Sequence, residues 1–227
     1  MTEQTKEQSG VTRRDFLKVT SGVALGVVVG GALYNLIPLG NGVVAYAASE
    51  GYLLIDSKKC SGCTSCMLAC SLAHEGKENL SLARIQIVQS SFGAFPNDIV
   101  QRLCRQCVDP ACVGACPTGA LHVDEANGGV RTVNEDECVG CLRCVEACPY
   151  NPAGLQWNSE EQHSQKCDLC ADTPYWNREG GVGGEQACIA VCPMRAIAFT
   201  TEIPSENGGY DVNLRTEAWA GFGLPVD

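Results

Sequence analysis

Sixteen cysteines carry the clearest chemical pattern in this chain of 227 residues. They fall into four runs of four, and the third run has the spacing C-x2-C-x2-C-x3-C followed by a proline. With this spacing, three thiolates on one tight loop can bind three corners of an iron–sulfur cube, while the fourth lies on a short helical turn and points at a different cube. One such run therefore requires a second run as its partner. The third run consists of Cys138, Cys141, Cys144 and Cys148.

The other three runs vary this spacing in ways that predict local structure. The first run ends in Cys-Ser instead of Cys-Pro, so its helix can continue past Ser71 to Ala73. The second has two extra residues before its third cysteine, and the fourth contains a long insertion at 171–187 that we interpret as a surface loop. These runs are Cys60, Cys63, Cys66 and Cys70; Cys104, Cys107, Cys112 and Cys116; and Cys167, Cys170, Cys188 and Cys192.

Six short segments with the composition of β-strands lie beside the runs. Asn127-Gly128 separates two of them and favours a hairpin, because glycine after asparagine supplies the positive φ of the turn. Residues 116–121 are similar to residues 192–197, so a run, a helical turn and a strand form one repeating unit. The predicted strands are residues 52–56, 83–88, 99–103, 121–123, 130–133 and 154–157.

These repeats predict an α+β fold with two tandem ferredoxin-like halves, loop-rich and built from short strands and helices. Each half holds two [4Fe–4S] clusters, because two runs exchange their fourth cysteines. Units of this size bury little apolar surface by themselves, and the clusters therefore stabilise the fold as structural metal sites do in small domains. Residues 201–227 lack periodicity and are predicted to form a tail.

Two other uses of the cysteines stay open at this point. Eight disulfides would suit an exported protein, but C-x2-C recurs six times and disulfide frameworks rarely repeat one spacing so regularly. Four zinc sites are the sharper alternative, although zinc modules usually combine two separated C-x2-C pairs instead of compact runs ending in Cys-Pro. No C-x-x-C-H occurs, so covalent haem is not indicated.

Charged residues and histidines suggest no further chemistry. The net charge of −10 argues against nucleic acid as a partner. His74, His122 and His163 match no metal or catalytic pattern, and we predict ordinary surface or hydrogen-bonded histidines. No catalytic group is visible beyond one-electron transfer. Basic residues beside the cysteines would partly compensate cluster charge, or else belong to an ordinary solvated surface: Lys58, Lys59, Arg102, Arg105, Arg143, Lys166 and Arg195.

The first 47 residues have the features of a targeting segment. Arg13-Arg14 precedes Asp-Phe-Leu-Lys, a long apolar stretch follows at 19–39, and Ala45-Tyr46-Ala47 is a small-x-small cleavage site. This pattern predicts a twin-arginine signal peptide over 1–47, and hence a location in the periplasm or at the outer face of the cytoplasmic membrane. Retention as a membrane anchor is the alternative, because the stretch is just long enough to span a bilayer.

The sixteen-cysteine pattern over 52–200 resembles the four-cluster iron–sulfur subunits of molybdopterin oxidoreductases, such as the beta subunits of dimethyl sulfoxide and tetrathionate reductases. Residues 70–76 are also similar to electron-transfer subunits of tungsten-dependent aldehyde oxidoreductases. The resemblance implies a non-catalytic subunit that relays electrons between a molybdenum or tungsten pterin catalytic subunit and a membrane quinone or cytochrome partner. A free-standing periplasmic multi-cluster ferredoxin and a zinc-binding scaffold are the alternatives.

The same resemblance implies which cysteines share a cluster. The outer runs pair together and the inner runs pair together, which divides residues 48–200 into an inner half at 99–157 and an outer half at 51–98 plus 158–200. Sequential pairing, with two domains joined near Ala126, is the alternative. The implied ligand sets are Cys60, Cys63, Cys66 and Cys192; Cys167, Cys170, Cys188 and Cys70; Cys104, Cys107, Cys112 and Cys148; and Cys138, Cys141, Cys144 and Cys116.

Overall fold

The computed structural model describes residues 26–29, 32–39, 42–224 and 226. Within this part of the chain, eleven short strands combine with one helix of 11 residues and three single helical turns. No helix among these residues has the length and apolar character needed to cross a membrane. The strands are β1 Gly26–Val29, β2 Ala32–Leu39, β3 Gly42–Ala47, β4 Tyr52–Ile55, β5 Gln86–Gln89, β6 Ile99–Arg102, β7 Leu121–Asp124, β8 Val130–Val133, β9 Leu155–Asn158, β10 His163–Lys166 and β11 Ile197–Thr200.

An antiparallel three-stranded sheet, in the order β1-β2-β3, lies at the start of the described chain. These strands are rich in valine, leucine and isoleucine, residues that favour or tolerate extended backbone. They fall within the segment assigned to the signal peptide. Arg13 and Arg14 lie outside the described residues, so the leader stays a prediction.

The helix of the first run, α1 (Ser65–Glu75), is the longest in the described chain. It continues past Ser71 as predicted, and it ends at Gly76, whose φ of 64° gives the left-handed conformation typical of a helix C-terminus. It packs on α4 (Ala187–Ala190), the helical turn of the fourth run. Strand β4 pairs antiparallel with β11, which brings the beginning and the end of the cysteine-rich region together.

The second and third runs form a comparable unit. The helical turn α2 (Ala111–Gly114) packs on α3 (Arg143–Glu146). Strands β7 and β8 pair antiparallel around the predicted turn, where Gly128 and Gly129 both have a φ of 68°. Strand β9 begins one residue after the predicted start, at Leu155, and pairs with β10.

Two regions differ from the sequence-based prediction. Strand β5 begins at Gln86 instead of residue 83, because residues 83–85 lie in a buried connection. Strand β10 has the polar sequence His-Ser-Gln-Lys and was not predicted, yet all four of its residues are buried. Pairing with β9 and cover from neighbouring elements override the weak strand preference of these side chains.

The tail is anchored to the first strand of the cysteine-rich region although it has little regular structure. Tyr210 is buried, its carbonyl accepts a hydrogen bond from the Ile55 N–H, and the Ile55 carbonyl in turn accepts one from Val212. The buried carboxylate of Asp56 binds the Leu214 N–H and the Arg215 Nε. The tail therefore closes over the outer pair of runs.

Candidate iron–sulfur sites

The structure brings cysteines of different runs together around two small cavities; the four expected groups are numbered here by the run that supplies three of their members. Cys192 joins the first run around one small cavity, and Cys116 joins the third run around another. In both cases the fourth cysteine comes from a different run. The first group is Cys60, Cys63, Cys66 and Cys192, and the third group is Cys138, Cys141, Cys144 and Cys116.

Most of the remaining eight cysteines lie deeper in the protein. Burial raises the pKa of the Cys188 thiol well above its usual value, and the neighbouring Cys170, Cys167 and Cys70 raise it further. Burial also raises the pKa of the Cys112 thiol to about 11; the ammonium of Lys166 opposes this rise, whereas Cys104 and Cys148 add to it. Cys66 also raises the pKa of Cys188, and Cys144 raises that of Cys112. We number the remaining sets as the resemblance implies them: the fourth group is Cys167, Cys170, Cys188 and Cys70, and the second group is Cys104, Cys107, Cys112 and Cys148.

The fourth cysteine of every run accepts a hydrogen bond from a backbone N–H. In three runs the donor lies four to six residues further along the chain, after the Cys-Pro turn. In the first run the helix continues instead, and the N–H of Arg84 takes this place at 3.2 Å from the Cys70 sulfur. Such bonds orient a thiolate and stabilise its negative charge. The other pairs are Leu121 N to Cys116 Sγ, Gly154 N to Cys148 Sγ and Ala196 N to Cys192 Sγ.

The donor set fits iron–sulfur cubes better than zinc or disulfides. All sixteen cysteines are free in this structure, which gives the disulfide alternative no support. Four thiolates around one zinc ion, with Zn–S bonds of about 2.3 Å, would lie about 3.8 Å from one another. Among the residues that the structure describes, no three cysteine sulfurs lie within 4.8 Å of one another. The three ligand atoms that do lie this close belong to Glu135, Glu161 and His163. The wider separation of the thiols suits a cube, whose corners hold its ligands apart.

A buried charged network that the spacing did not indicate lies beside the fourth group. Asp168 accepts a hydrogen bond from His74 Nε2 at 2.9 Å and one from Arg84 Nη1 at 3.0 Å. Burial lowers the pKa of His74, but the interaction with Asp168 outweighs burial and raises the His74 pKa to about 10. Burial would likewise raise the pKa of Asp168, yet His74 and Arg84 hold it well below its usual range. In the sequence, the indication of this network is an acidic residue, Asp168, directly after a cysteine of the fourth run, Cys167.

The three histidines have the ordinary roles that were predicted for them. His74 belongs to the network just described, and His122 Nδ1 lies 3.0 Å from the Ala120 carbonyl. His163 is buried and its Nε2 lies 3.2 Å from a Glu135 carboxylate oxygen. His74 also lies beside the fourth group, because its Nδ1 is 3.7 Å from the Cys70 sulfur.

Exposure differs sharply among the groups. Cys63 in the first group and Cys141 in the third are exposed, whereas every other cysteine is buried or half-buried. The second and fourth groups have no exposed member. Two of the four groups are thus accessible to another protein at the surface.

Comparisons with known proteins support iron–sulfur ligation by these cysteines. A family model described as a 4Fe-4S dicluster domain matches residues 96–202. The thiosulfate reductase electron transfer subunit PhsB of Salmonella typhi is 34% identical over 183 residues, which are 78% of this chain and 91% of that protein. The donor set and this match identify [4Fe–4S] clusters as the cofactor.

Two further relatives come from different reductases. The polyferredoxin-like subunit of the Pyrococcus furiosus aliphatic sulfonate oxidoreductase is 40% identical over 145 residues, 62% of this chain and 70% of that protein. The Escherichia coli protein YnfG, described as a probable anaerobic dimethyl sulfoxide reductase chain, is 36% identical over 154 residues, 64% of this chain and 70% of that protein. On these matches the present protein belongs to the family of iron–sulfur electron-transfer subunits of oxidoreductases, and it is a non-catalytic member of that family.

Proposed function

We propose that this protein binds four [4Fe–4S] clusters, one in each cysteine group, and relays electrons between two partner proteins. The observation that carries the proposal is that two cavities are each lined by three cysteines of one run and a fourth cysteine from another run. The packing of α1 on α4 and of α2 on α3 supports pairing of the outer runs with each other and of the inner runs with each other. Two ferredoxin-like halves, one nested within the other, follow from this pairing.

The bound clusters supply one-electron transfer, and the chain supplies their environment. Burial of Cys66, Cys70, Cys170 and Cys188 keeps water from the interior thiolates. Backbone N–H groups hold the fourth cysteine of each run in one orientation. Exposed thiols occur in two different groups, so one partner can dock at each. This division suits a relay with two ends.

We further propose that one partner is a molybdenum or tungsten pterin catalytic subunit and that the other is a membrane quinone or cytochrome subunit. Support comes from the relatives, which are named as parts of thiosulfate and dimethyl sulfoxide reductases. The twin-arginine pattern at Arg13-Arg14 supports export of the folded, cluster-loaded chain to the periplasm or the outer face of the cytoplasmic membrane.

Anaerobic purification of a tagged chain from its source organism tests this function. We expect about sixteen irons per chain, and a large subunit containing molybdenum or tungsten that elutes with it in fixed proportion. An untagged strain carried through the same purification is the control. A tagged protein that elutes by itself with full iron content would contradict the subunit assignment and favour a free-standing carrier. Zinc in place of iron would overturn the whole proposal.

A further inference from the structure

Two buried cations near the second group have no carboxylate as counter-charge. Lys166 is 2% exposed and Arg131 is 1% exposed. Within the described chain, neither has an Asp or Glu oxygen at ion-pair distance. A buried charge is costly unless an opposite charge compensates it. The counter-charge must therefore come from another kind of group.

The two cations are held against the loop of the second run. Lys166 Nζ donates to the Arg131 carbonyl at 2.6 Å. Arg131 Nη2 donates to the carbonyl of Val108, the residue after Cys107, at 3.4 Å. The Arg131 N–H donates to the side chain of Gln106, which lies between Cys104 and Cys107, at 2.8 Å. Backbone pairing of β10 and the packing of β10 on β8 fix both residues in this position.

The negative groups that face these cations are the second-run thiolates. Burial lowers the pKa of Arg131, whereas Tyr52 and then Cys104, Cys107 and Cys112 raise it. Lys166 in turn lowers the pKa of Cys112. A cube with four thiolates carries a net negative charge, and reduction by one electron makes this charge more negative. Nearby positive charge favours the reduced form.

The fourth group, which is similarly buried, provides the contrast. Arg84 lies beside this group, and its backbone N–H donates to the Cys70 sulfur. Arg84 is neutralised by Asp168 at 3.0 Å, and Glu135 and Glu75 lie at 3.6 and 3.7 Å. The charge of Arg84 is therefore compensated by carboxylates, unlike the charges of Lys166 and Arg131.

We infer that Lys166 and Arg131 use the cluster of the second group as their counter-charge and thereby raise its reduction potential. They are positioning residues that favour an electron on this interior cluster of the relay. The inference rests on the proposed function, because it requires a cluster in the second group.

Redox titration of the anaerobic holoprotein, followed by electron paramagnetic resonance, tests the inference. Lys166→Gln keeps an N–H donor for the Arg131 carbonyl but removes the charge. We expect one cluster to become harder to reduce, with at least a tenfold fall in its reduced-to-oxidised ratio at a fixed potential, which is about 59 mV for one electron. Arg131→Gln should shift the same signal, and Lys166→Arg should restore it. Cys148→Ser identifies that signal as belonging to the second group.

Lys77→Gln is the matched control, because this lysine is 54% exposed at the surface and pairs with Glu160. It should leave all potentials unchanged. Fully loaded Lys166→Gln and Arg131→Gln proteins with unchanged potentials would overturn the inference. If Lys166→Gln and Arg131→Gln lose iron while Lys166→Arg keeps it, the role of these residues as counter-charge is supported. If Lys166→Arg loses as much iron, the residue has a packing role and the inference is overturned. If Cys148→Ser removes no signal that the native protein shows, the second group holds no cluster. That result would contradict the proposed function itself.

Discussion

Cys70 of the first run and Cys188 of the fourth run lie in one buried core cluster, although most of the cysteine-rich region separates them in sequence. Their neighbourhood follows from the packing of α1, which carries Cys70, on α4, which carries Cys188. A chain divided into two sequential domains would place Cys70 beside the second run instead. The predictions below start from this relationship.

The first prediction concerns the sharing of ligands. Serine in place of Cys70 should alter the same electron paramagnetic resonance signal as serine in place of Cys188, because both thiolates would bind one cube. Cys104→Ser, the control, should alter a different signal. Sequential pairing predicts the opposite, with Cys70→Ser and Cys104→Ser acting on one signal. The measurement is a low-temperature spectrum of each reduced variant, together with its iron content.

A second prediction concerns the buried carboxylate beside the fourth group. Asp168→Asn should lower the free energy of unfolding by about 3–5 kcal/mol, because it leaves Arg84 and charged His74 uncompensated in the interior. Glu160→Gln removes an exposed carboxylate paired with Lys77 and should have no measurable effect. Anaerobic urea unfolding of the holoproteins provides the comparison. Equal stability of the two variants would show that the network is not stabilising.

Stability should also depend on pH through His74. The pKa of His74 is raised from 6.5 to about 10 in the folded chain, so its ion pair stabilises fully below about pH 6.5 and is lost as the pH rises through about 10. The difference in unfolding free energy between the native protein and His74→Gln should therefore shrink from about pH 7 to about pH 10. Urea unfolding at several pH values measures it, and a constant difference would refute the ion pair.

Two glycines of the long insertion should respond differently to alanine. A Cβ on Gly180 would overlap the carbonyl oxygen of Cys170, whereas a Cβ on Gly183 would meet no atom within 4 Å. Gly180→Ala must displace backbone at a proposed ligand and should lose the fourth-group cluster, about four irons per chain. Gly183→Ala should retain full iron content. Iron analysis decides, and unchanged iron in both variants would mean that the loop adapts.

The last prediction concerns export. Arg13→Lys combined with Arg14→Lys should leave loaded protein in the cytoplasm, because the arginine pair is the recognised part of the leader. Lys6→Arg, outside that pair, should be exported normally. Cell fractionation with an antibody against the chain measures the distribution. Undiminished export of the double variant would rule out the twin-arginine assignment.

Much of the site could be predicted from the sequence because cluster ligation imposes local spacing. Three thiolates must come from one tight loop, which makes each run recognisable without any knowledge of tertiary contacts. The absence of proline after Cys70 predicted the long helix α1 in the same way, since proline would have ended it. The hairpin at Gly128 followed from turn chemistry that involves only neighbouring residues.

Other features depended on contacts between distant residues. The spacing left nested and sequential pairing both open, and the packing of α1 on α4 and of α2 on α3 brings the outer runs together and the inner runs together. Strand β10 has polar residues and becomes a strand because its neighbours bury it. Lys166 was one of seven basic residues beside the cysteines. Only the tertiary structure showed that it is almost fully buried without a carboxylate partner, because such burial is a property of the surroundings and not of the residue.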